Sequence, residues 1–432
     1  MFRPHPTRHS STDTTDTAGI TDTCDTTGTG TGTGTGSTDS TGHGLFTTGT
    51  PVTSWTVSTA LPVTYHVRVV PGVLDPDNPA LAHAGTAPGP GPRRRLLVVE
   101  ATVHQLYGER IRAYCSAQRI EHRLHVLPAD ERVKNMDSVF RVAEQLDRFG
   151  LARRGEPVIA IGGGVLTDVV GLACSLYRRS TPFVRVPTTL IGLVDAGVGA
   201  KTGVNFGRHK NRLGTYHPAT ETLLDPAFLA TLDRRHIGNG LAEIIKVGLI
   251  KDRRLFDLLE RHGERLRADR FQHPAAAEVI TRAVHGMLGE LQPNLWEHTL
   301  ERLMDYGHSF SPTLEMRALP ELLHGEAVGI DMALTTVLAA RRGLVTPEQR
   351  TRILTLLDRL QLPLAHRLLE PGLLGEALTD TIRHRDGRQR LPLPIGIGAG
   401  LFVDDLTPPE INRAAAELHA ITGALTLAQL AS

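Results

Sequence analysis

The sequence predicts two folded parts in succession, an α/β domain and then a mostly helical one. Three observations predict this. Short apolar runs alternate with stretches of helical apolar spacing as far as about Asp225, the pattern of a parallel sheet covered by helices. A glycine-rich turn, "IGGGVLTDVVG" (161–171), joins one such run to a helix. Beyond Asp225 helical spacing continues with almost no strand between, in "LAEIIKVGLI", "AAAEVITRAVHGMLGEL", "EAVGIDMALTTVLAARRG" and "PEQRTRILTLLDRL".

In chain order, residues 1–62 are dominated by Thr, Gly, Asp and Ser, including "TGTGTGTG". Such a stretch buries too little apolar surface to offset the entropy of ordering, and it reads as a disordered tail. "VTYHVRVV" alternates like a strand. "AGTAPGPGPRRR" is a Gly/Pro loop leading into "LLVVE", a buried strand, then a helical stretch near "VHQLYGERIRAYCSA". "RLHVLPA" is a strand, "MDSVFRVAEQLDRFGL" a helix, "PVIAI" a strand running into the glycine turn, and "PFVRVPTTL" a strand with a turn. The expected division is 1–62, 63–228 and 229–432.

Composition excludes several classes. The net charge of +1 creates no global field toward nucleic acid or an anionic membrane, and scarce aromatics offer no base-stacking platform. No apolar run is long enough to span a bilayer, and the N-terminus lacks the pattern of a secretory signal. Three widely spaced cysteines make neither a disulfide framework nor a C-x-x-C site. A soluble cytoplasmic protein without nucleic-acid or membrane partners is the expectation.

The glycine turn suits a phosphate, because glycines admit a close backbone approach and a helix N-terminus supplies free N–H groups. It is not G-x-G-x-x-G, so a tight turn without ligand stays open. Glu100, ending "LLVVE", is placed to accept hydrogen bonds from a ribose or simply to cap a helix. The run "PTTLIGLVDAGVGAKTGVNFGRHKNRLGTYHPA" (187–219) gathers Thr188, Thr189, Asp195, Lys201, Asn205, Lys210, Asn211 and His217 among glycines. Such groups suit a phosphorylated polyhydroxyl ligand, or else a solvated loop. Taken alone, His308 in "MDYGHSFSPTLEM" reads as a packed or solvated histidine before it reads as a ligand.

"DAGVGAKTGVN" and "KNRLGTYHP", with "GGGVLTDVVGLA", "VPTTL", "AEIIKVG", "YGHSF" and "HGEAV" in order, resemble the dehydroquinate synthase superfamily, the sugar phosphate cyclases. The resemblance implies a Rossmann-like NAD domain followed by a helical metal-binding domain. It implies three metal ligands, Glu243, His308 and His324, holding Zn2+, with Co2+ as an alternative. For NAD+ it implies Glu100, Glu131, Lys134, Gly162, Gly163, Gly164, Val165, Asp168, Thr188 and Thr189, with Phe228 and Thr231 near the adenosine. Asp195, Lys201, Lys246 and Asn211 should face substrate hydroxyls. Lys210 should serve the phosphate with Arg179, which reaches in from a partner subunit, so a homodimer is implied. The implied chemistry oxidises an alcohol by NAD+, eliminates phosphate, returns the hydride and closes a ring by intramolecular aldol addition.

Dehydroquinate synthase itself takes a carboxylate-bearing substrate, and at three positions where it uses Arg, Asn and His this chain has Glu301, Asp305 and Pro312. Glu301 should repel a substrate anion, Asp305 should accept hydrogen bonds from hydroxyls, and Pro312 should free space. "PNLWEHTLERLMDYGHSFSPTLEM" resembles the 2-epi-5-epi-valiolone synthases, which cyclise sedoheptulose 7-phosphate. The 2-epi-valiolone and desmethyl-4-deoxygadusol synthases stay open as alternatives on the same substrate. Dehydroquinate synthase and a metal- and NAD-dependent polyol dehydrogenase are the more distant readings.

Overall fold

The computed structural model describes residues 44–48, 53–86, 93–207 and 209–430. Contacts divide the chain into two units, one ending at Thr64 and the other running from Tyr65 to Ser432.

In the first unit, β1 (Gly44–Thr48) pairs antiparallel with β2 (Ser54–Ser58). This corrects part of the expected disordered tail. "GLFTT" and "SWTVS" hold β-branched and aromatic residues that favour strand pairing even beside a polar tract. Of the rest of that expectation, 1–43 and 49–52 lie outside the described residues.

In the second unit, β3 (His66–Val69), β4 (Arg93–Glu100), α2 (Ala101–Ala117), β5 (Ile120–Leu127), α3 (Met136–Phe149), β6 (Val158–Gly162), α4 (Gly164–Leu176) and β7 (Phe183–Pro187) follow the predicted alternation, with a single helical turn, α1 (Ala80–His83), that the sequence pattern did not announce, and with the arginines 93–95 in β4 rather than in the Gly/Pro loop. Next come β8 (Lys201–Phe206), β9 (His209–Tyr216) and β10 (Glu221–Leu224). Six strands form a sheet in the order β3-β10-β7-β6-β4-β5, and its pairs are parallel. Separate apolar clusters cover its two faces, one under α2 and one under α3 and α4. β6 and β7 are buried throughout, so they read as continuous apolar runs rather than alternating ones. The polar run after β7 is more ordered than a loop, because β8 and β9 pair as an antiparallel hairpin.

The helical part comprises α5 (Arg234–Ile250), α6 (Arg253–Ala268), α7 (Ala275–Leu291), α8 (Ser311–Ala318), α9 (His324–Arg341), α10 (Pro347–Arg359), α11 (Pro371–His384) and α12 (Pro408–Leu430). A short antiparallel pair, β11 (Leu391–Pro394) with β12 (Gly400–Val403), lies between α11 and α12. α5 is buried at every residue from Ile237 to Ile250, and α9 at every residue from Gly325 to Ala339. Both helices are enclosed on all sides, and their apolar residues form the centre of the largest core. That core also takes Leu190, Leu193, Val194 and Val198 from before the expected boundary at 228, so the sheet part and helical part share packing. Among the described residues no helix is long and apolar enough to cross a membrane.

Candidate metal and nucleotide site

Glu243 lies in the middle of α5 and is 1% exposed. His324 is the first residue of α9, and His308 sits in the irregular segment before α8. Two glycines make this meeting feasible. Gly307 has φ +75°, and a Cβ there would stand 2.9 Å from Val328 Cγ1, so only glycine turns the chain into His308 beside α9. Gly325 lies so close to the Asn239 backbone that any side chain would overlap it, which brings the start of α9 against α5.

The donor atoms of Glu243, His308 and His324 all lie within 4.8 Å of one another. Nε2 of His308 is 3.7 Å from Glu243 Oε1, and Nε2 of His324 is 3.4 Å from it. The opposite ring nitrogens are occupied: His308 Nδ1 lies 3.0 Å from the Tyr306 carbonyl, and His324 Nδ1 lies 2.8 Å from Glu315 Oε2. If each Nδ1 donates to its acceptor, both Nε2 lone pairs face the carboxylate. This is the tautomer a metal needs. Neither Glu243 oxygen has a hydrogen bond of acceptable geometry among the described residues, although Lys246 Nζ lies against Oε2. Two imidazoles and a carboxylate left short of partners fit a divalent cation such as zinc, with positions left open.

Without a metal, the electrostatics separate the two histidines: His308 is held neutral, while His324 is held charged between two acids. Burial, then the Lys246 charge, brings the His308 imidazole down to about 4. Burial and Lys210 oppose the charged form of His324, but Glu315 and Glu243 prevail and raise it to about 9. Burial alone would raise Glu243; Lys246 and the two histidines outweigh it and hold it ionised. Burial would lower Lys246, yet Glu243 and Asp195 outweigh it and keep it charged. Asp195, on a π-helical turn (Gly192–Ala196) after β7, is raised by burial and by Glu243. Lys201 opens β8 and contacts Glu297. Desolvation and the Arg302 charge pull it down to about 8, and solvent tempers this because the side chain is 55% exposed.

Several expected residues stand elsewhere than their expected role suggests. Lys210 does not open into the cleft: its Nζ lies 2.5 Å from Glu315 Oε1 and 3.1 Å from His324 Nδ1, so its charge is already matched behind the histidine. Asn211 Oδ1 accepts from Lys134 Nζ at 2.7 Å, so that oxygen is already engaged by the lysine that also donates to Asp168. Glu301 does not face the site; Arg390 Nε donates to it at 2.8 Å near the surface. Its neighbour Arg302 points inward instead. Asp305 is not a free acceptor, because Arg302 and Arg385 both donate to it. Burial opposes its charge, but Arg302 and Arg385 hold it down to about 2. Pro312 falls in the first turn of α8, where its missing N–H costs no bond. Arg179 stands exposed on a turn of three positive-φ residues, Arg178, Arg179 and Ser180.

The residues expected to hold NAD+ gather at the C-terminal ends of the strands, where open α/β sheets bind ligands. Gly162 ends β6, and Gly163 precedes α4 with no side-chain cap among the described residues, so the N–H groups of the helix start at Gly164 and Val165 are suited to an anionic group. Thr188 N–H donates to the Gly162 carbonyl at 3.0 Å, and Thr189 Oγ1 accepts from Gly192 N–H at 3.2 Å. Glu100 Oε2 accepts from Val103 N–H at 2.9 Å; this realises the helix-cap alternative for that oxygen. Lys134, 4% exposed, donates to Asp168 at 2.7 Å, and Glu131 accepts from Asn205 at 2.8 Å. Thr231 and Tyr107 hydroxyls lie 2.8 Å apart, and Tyr107 packs edge-on to Phe228. A cavity of about 250 Å³ opens beside them, lined by Leu74, Tyr107, Arg110 and Phe228.

Glu315, Glu297 and Arg302 stand in this cluster without having been singled out from the sequence, and Arg385 belongs to the basic stretch "RHRDGRQR" expected on the phosphate side. Glu315 had a readable signal, since it shares the buried stripe Ser311, Leu314, Glu315, Ala318 of α8. An acid on an apolar stripe calls for a partner. Glu315→Gln is expected to weaken zinc binding roughly 10- to 100-fold, the usual cost of removing a ligand's supporting acceptor. Competition with a chromogenic chelator measures this, and unchanged affinity would remove Glu315 from the site.

The 3-dehydroquinate synthase N-terminal model matches residues 124–239, and the 3-dehydroquinate synthase C-terminal model matches residues 240–384. The chain belongs to the dehydroquinate synthase family. It is 58% identical to a 2-epi-5-epi-valiolone synthase of Actinomyces sp over 375 residues, 85% of this chain and 98% of that one. Within the family the chain groups with the 2-epi-5-epi-valiolone synthases. The solved ValA (2-epi-5-epi-valiolone synthase) from Streptomyces hygroscopicus subsp. jinggangensis 5008, with NAD+ and Zn2+ bound, superimposes with a TM-score of 0.82 at 57% identity, over 85% of this chain and 99% of that one. A demethyl-4-deoxygadusol synthase of Trichormus variabilis is more distant, at 40% identity over 82% of this chain and 87% of its own.

Proposed function

We propose that the site converts sedoheptulose 7-phosphate to 2-epi-5-epi-valiolone and inorganic phosphate, as a carbon–oxygen lyase, in a homodimer. The observation that carries this is the convergence of Glu243, His308 and His324 beside Asp195, Lys201 and Lys246, in a chain 58% identical to 2-epi-5-epi-valiolone synthases.

Glu243, His308 and His324 would hold Zn2+, or Co2+, which when bound supplies Lewis acidity to substrate oxygens. The glycine turn 162–165, with Glu100, Lys134, Asp168, Thr188 and Thr189, would hold NAD+, a hydride acceptor whose return of the hydride leaves no net oxidation. The chain's own groups do the rest. Lys246 stays charged and fixes an anionic oxygen beside Glu243. Asp195, raised by its surroundings, can carry a proton at the same place. Lys201, pulled toward neutrality, can donate to or accept from a hydroxyl. Lys210 and Glu315 hold the His324 ring. Arg179, exposed on its turn, would serve the phosphate in the partner's site. In balance, one C–H proton and one C–O bond to phosphate are lost, and a C–C bond closes the ring.

The test is incubation with sedoheptulose 7-phosphate, NAD+ and Zn2+, following phosphate release and identifying the product by NMR. No phosphate release sinks the cyclase assignment; NADH accumulating on a polyol points to a dehydrogenase. A different cyclitol transfers the assignment to a sister synthase.

A further inference from the structure

Two guanidinium groups from distant parts of the chain converge on one acid in this site. Arg302, in the segment before His308, donates to Asp305 Oδ1 through Nη2 at 2.5 Å and to Oδ2 through Nε at 3.3 Å. Arg385, at the end of α11, donates to Oδ2 through Nη2 at 3.0 Å. The side chains of Arg302, Asp305 and Arg385 are 16%, 16% and 4% exposed. Arg385 Nε is buried with no hydrogen-bond partner among the described residues, so its fork is only partly used. The Lys201 charge also acts on Asp305, and Glu297 lies against Lys201 and Arg302. Three cations therefore face two acids, and Asp305 is the acid that both arginines share.

A planar guanidinium fork binds any carboxylate of suitable reach, whether it comes from the chain or from a ligand. An acid tethered in the chain loses less freedom on docking than a ligand's acid does, so it wins the competition for the fork. We infer that Asp305 is a specificity-determining residue acting as a resident carboxylate: it fills the Arg302–Arg385 fork that would otherwise take the carboxylate of an acidic sugar phosphate, and so reserves the site for substrates uncharged at that end. This rests on the reading of the site as one for sugar phosphates. It replaces repulsion by Glu301, which faces away, with occupation by Asp305.

The test uses the full-length, NAD+- and zinc-loaded protein and its Asp305→Ala and Asp305→Asn variants. The probe is a seven-carbon 2-ulosonate 7-phosphate, which carries a carboxylate where sedoheptulose 7-phosphate carries a hydroxymethyl group. Its affinity is measured by calorimetry, and turnover of sedoheptulose 7-phosphate is measured with and without added formate. Asp305→Ala is expected to bind the ulosonate at least about tenfold more tightly than the unaltered protein, since a charge-assisted bidentate contact is freed. Formate, refilling the fork, is expected to reverse that gain and to raise the variant's turnover while leaving the unaltered protein unaffected. A purely structural Asp305 would show neither effect. Equal ulosonate affinity in both proteins, with no formate response, overturns the inference. If Asp305→Ala does not fold, Asp305→Asn decides, because the amide loses the charge-assisted hold on the fork and a ligand carboxylate then outcompetes it; no tightening there overturns the inference. If the unaltered protein releases no phosphate from sedoheptulose 7-phosphate, the functional reading fails, while the difference in ulosonate affinity still decides the role of Asp305.

Discussion

His308→Ala is expected to abolish zinc binding and turnover together while the fold survives. His308 contributes one of three donor atoms within 4.8 Å, and its ring is placed by the Tyr306 carbonyl and by contacts with His324 and Glu243. Losing a direct ligand should cost more than the roughly 100-fold upper end for supporting residues. The fold should tolerate it, because His308 is partly open and the surrounding core, Tyr306, Phe310, Val328 and Met332, is unchanged. Metal content by mass spectrometry, circular dichroism and phosphate release check the three parts. Wild-type metal content in this variant would refute the ligand role.

Lys246→Met is expected to destabilise the metal-free protein by about 3–5 kcal/mol, the scale for stripping one partner from a buried ion pair. Lys246 and Glu243 are 3% and 1% exposed, one helical turn apart, and Asp195 adds a second negative charge nearby. Without the ammonium, one of these acids must take up a proton or remain buried and uncompensated. Zinc would supply the missing positive charge, so adding it should restore much of the loss. Urea denaturation with EDTA and then with zinc measures both numbers. A loss under about 1 kcal/mol in EDTA would mean the lysine is not the counter-charge.

Much of this architecture was legible in the sequence because the signals are local. Strand runs such as "PVIAI" and "PFVRV" declare burial by composition alone, and the glycine turn declares the switch from strand to helix. Elements β3 to β7 follow the predicted order for that reason. The hairpin β8–β9 was read as a loop because its glycines and polar residues obscure alternation, and pairing between its own two halves overrides their weak propensity. The ligand set was reachable only through resemblance. Glu243, His308 and His324 lie on three elements whose approach depends on Gly307 and Gly325, and no spacing rule encodes such an approach.

The substitutions around His308 show the same limit more sharply. The chain names Glu301, Arg302, Asp305 and Pro312 in order, but not which of them turns inward. Along an irregular segment neighbouring side chains point in different directions, and packing selects among them. Tertiary structure sends Glu301 out to Arg390 and brings Arg302 in against Asp305 and Glu297, with Arg385 arriving from α11. The sequence by itself determined the order of elements, the family and the chemical types at the site, because these rest on local pattern and residue identity. Only the tertiary structure decided which charges are already neutralised, because a carboxylate's partners are set by distance in space and by burial, and neither is written along the chain.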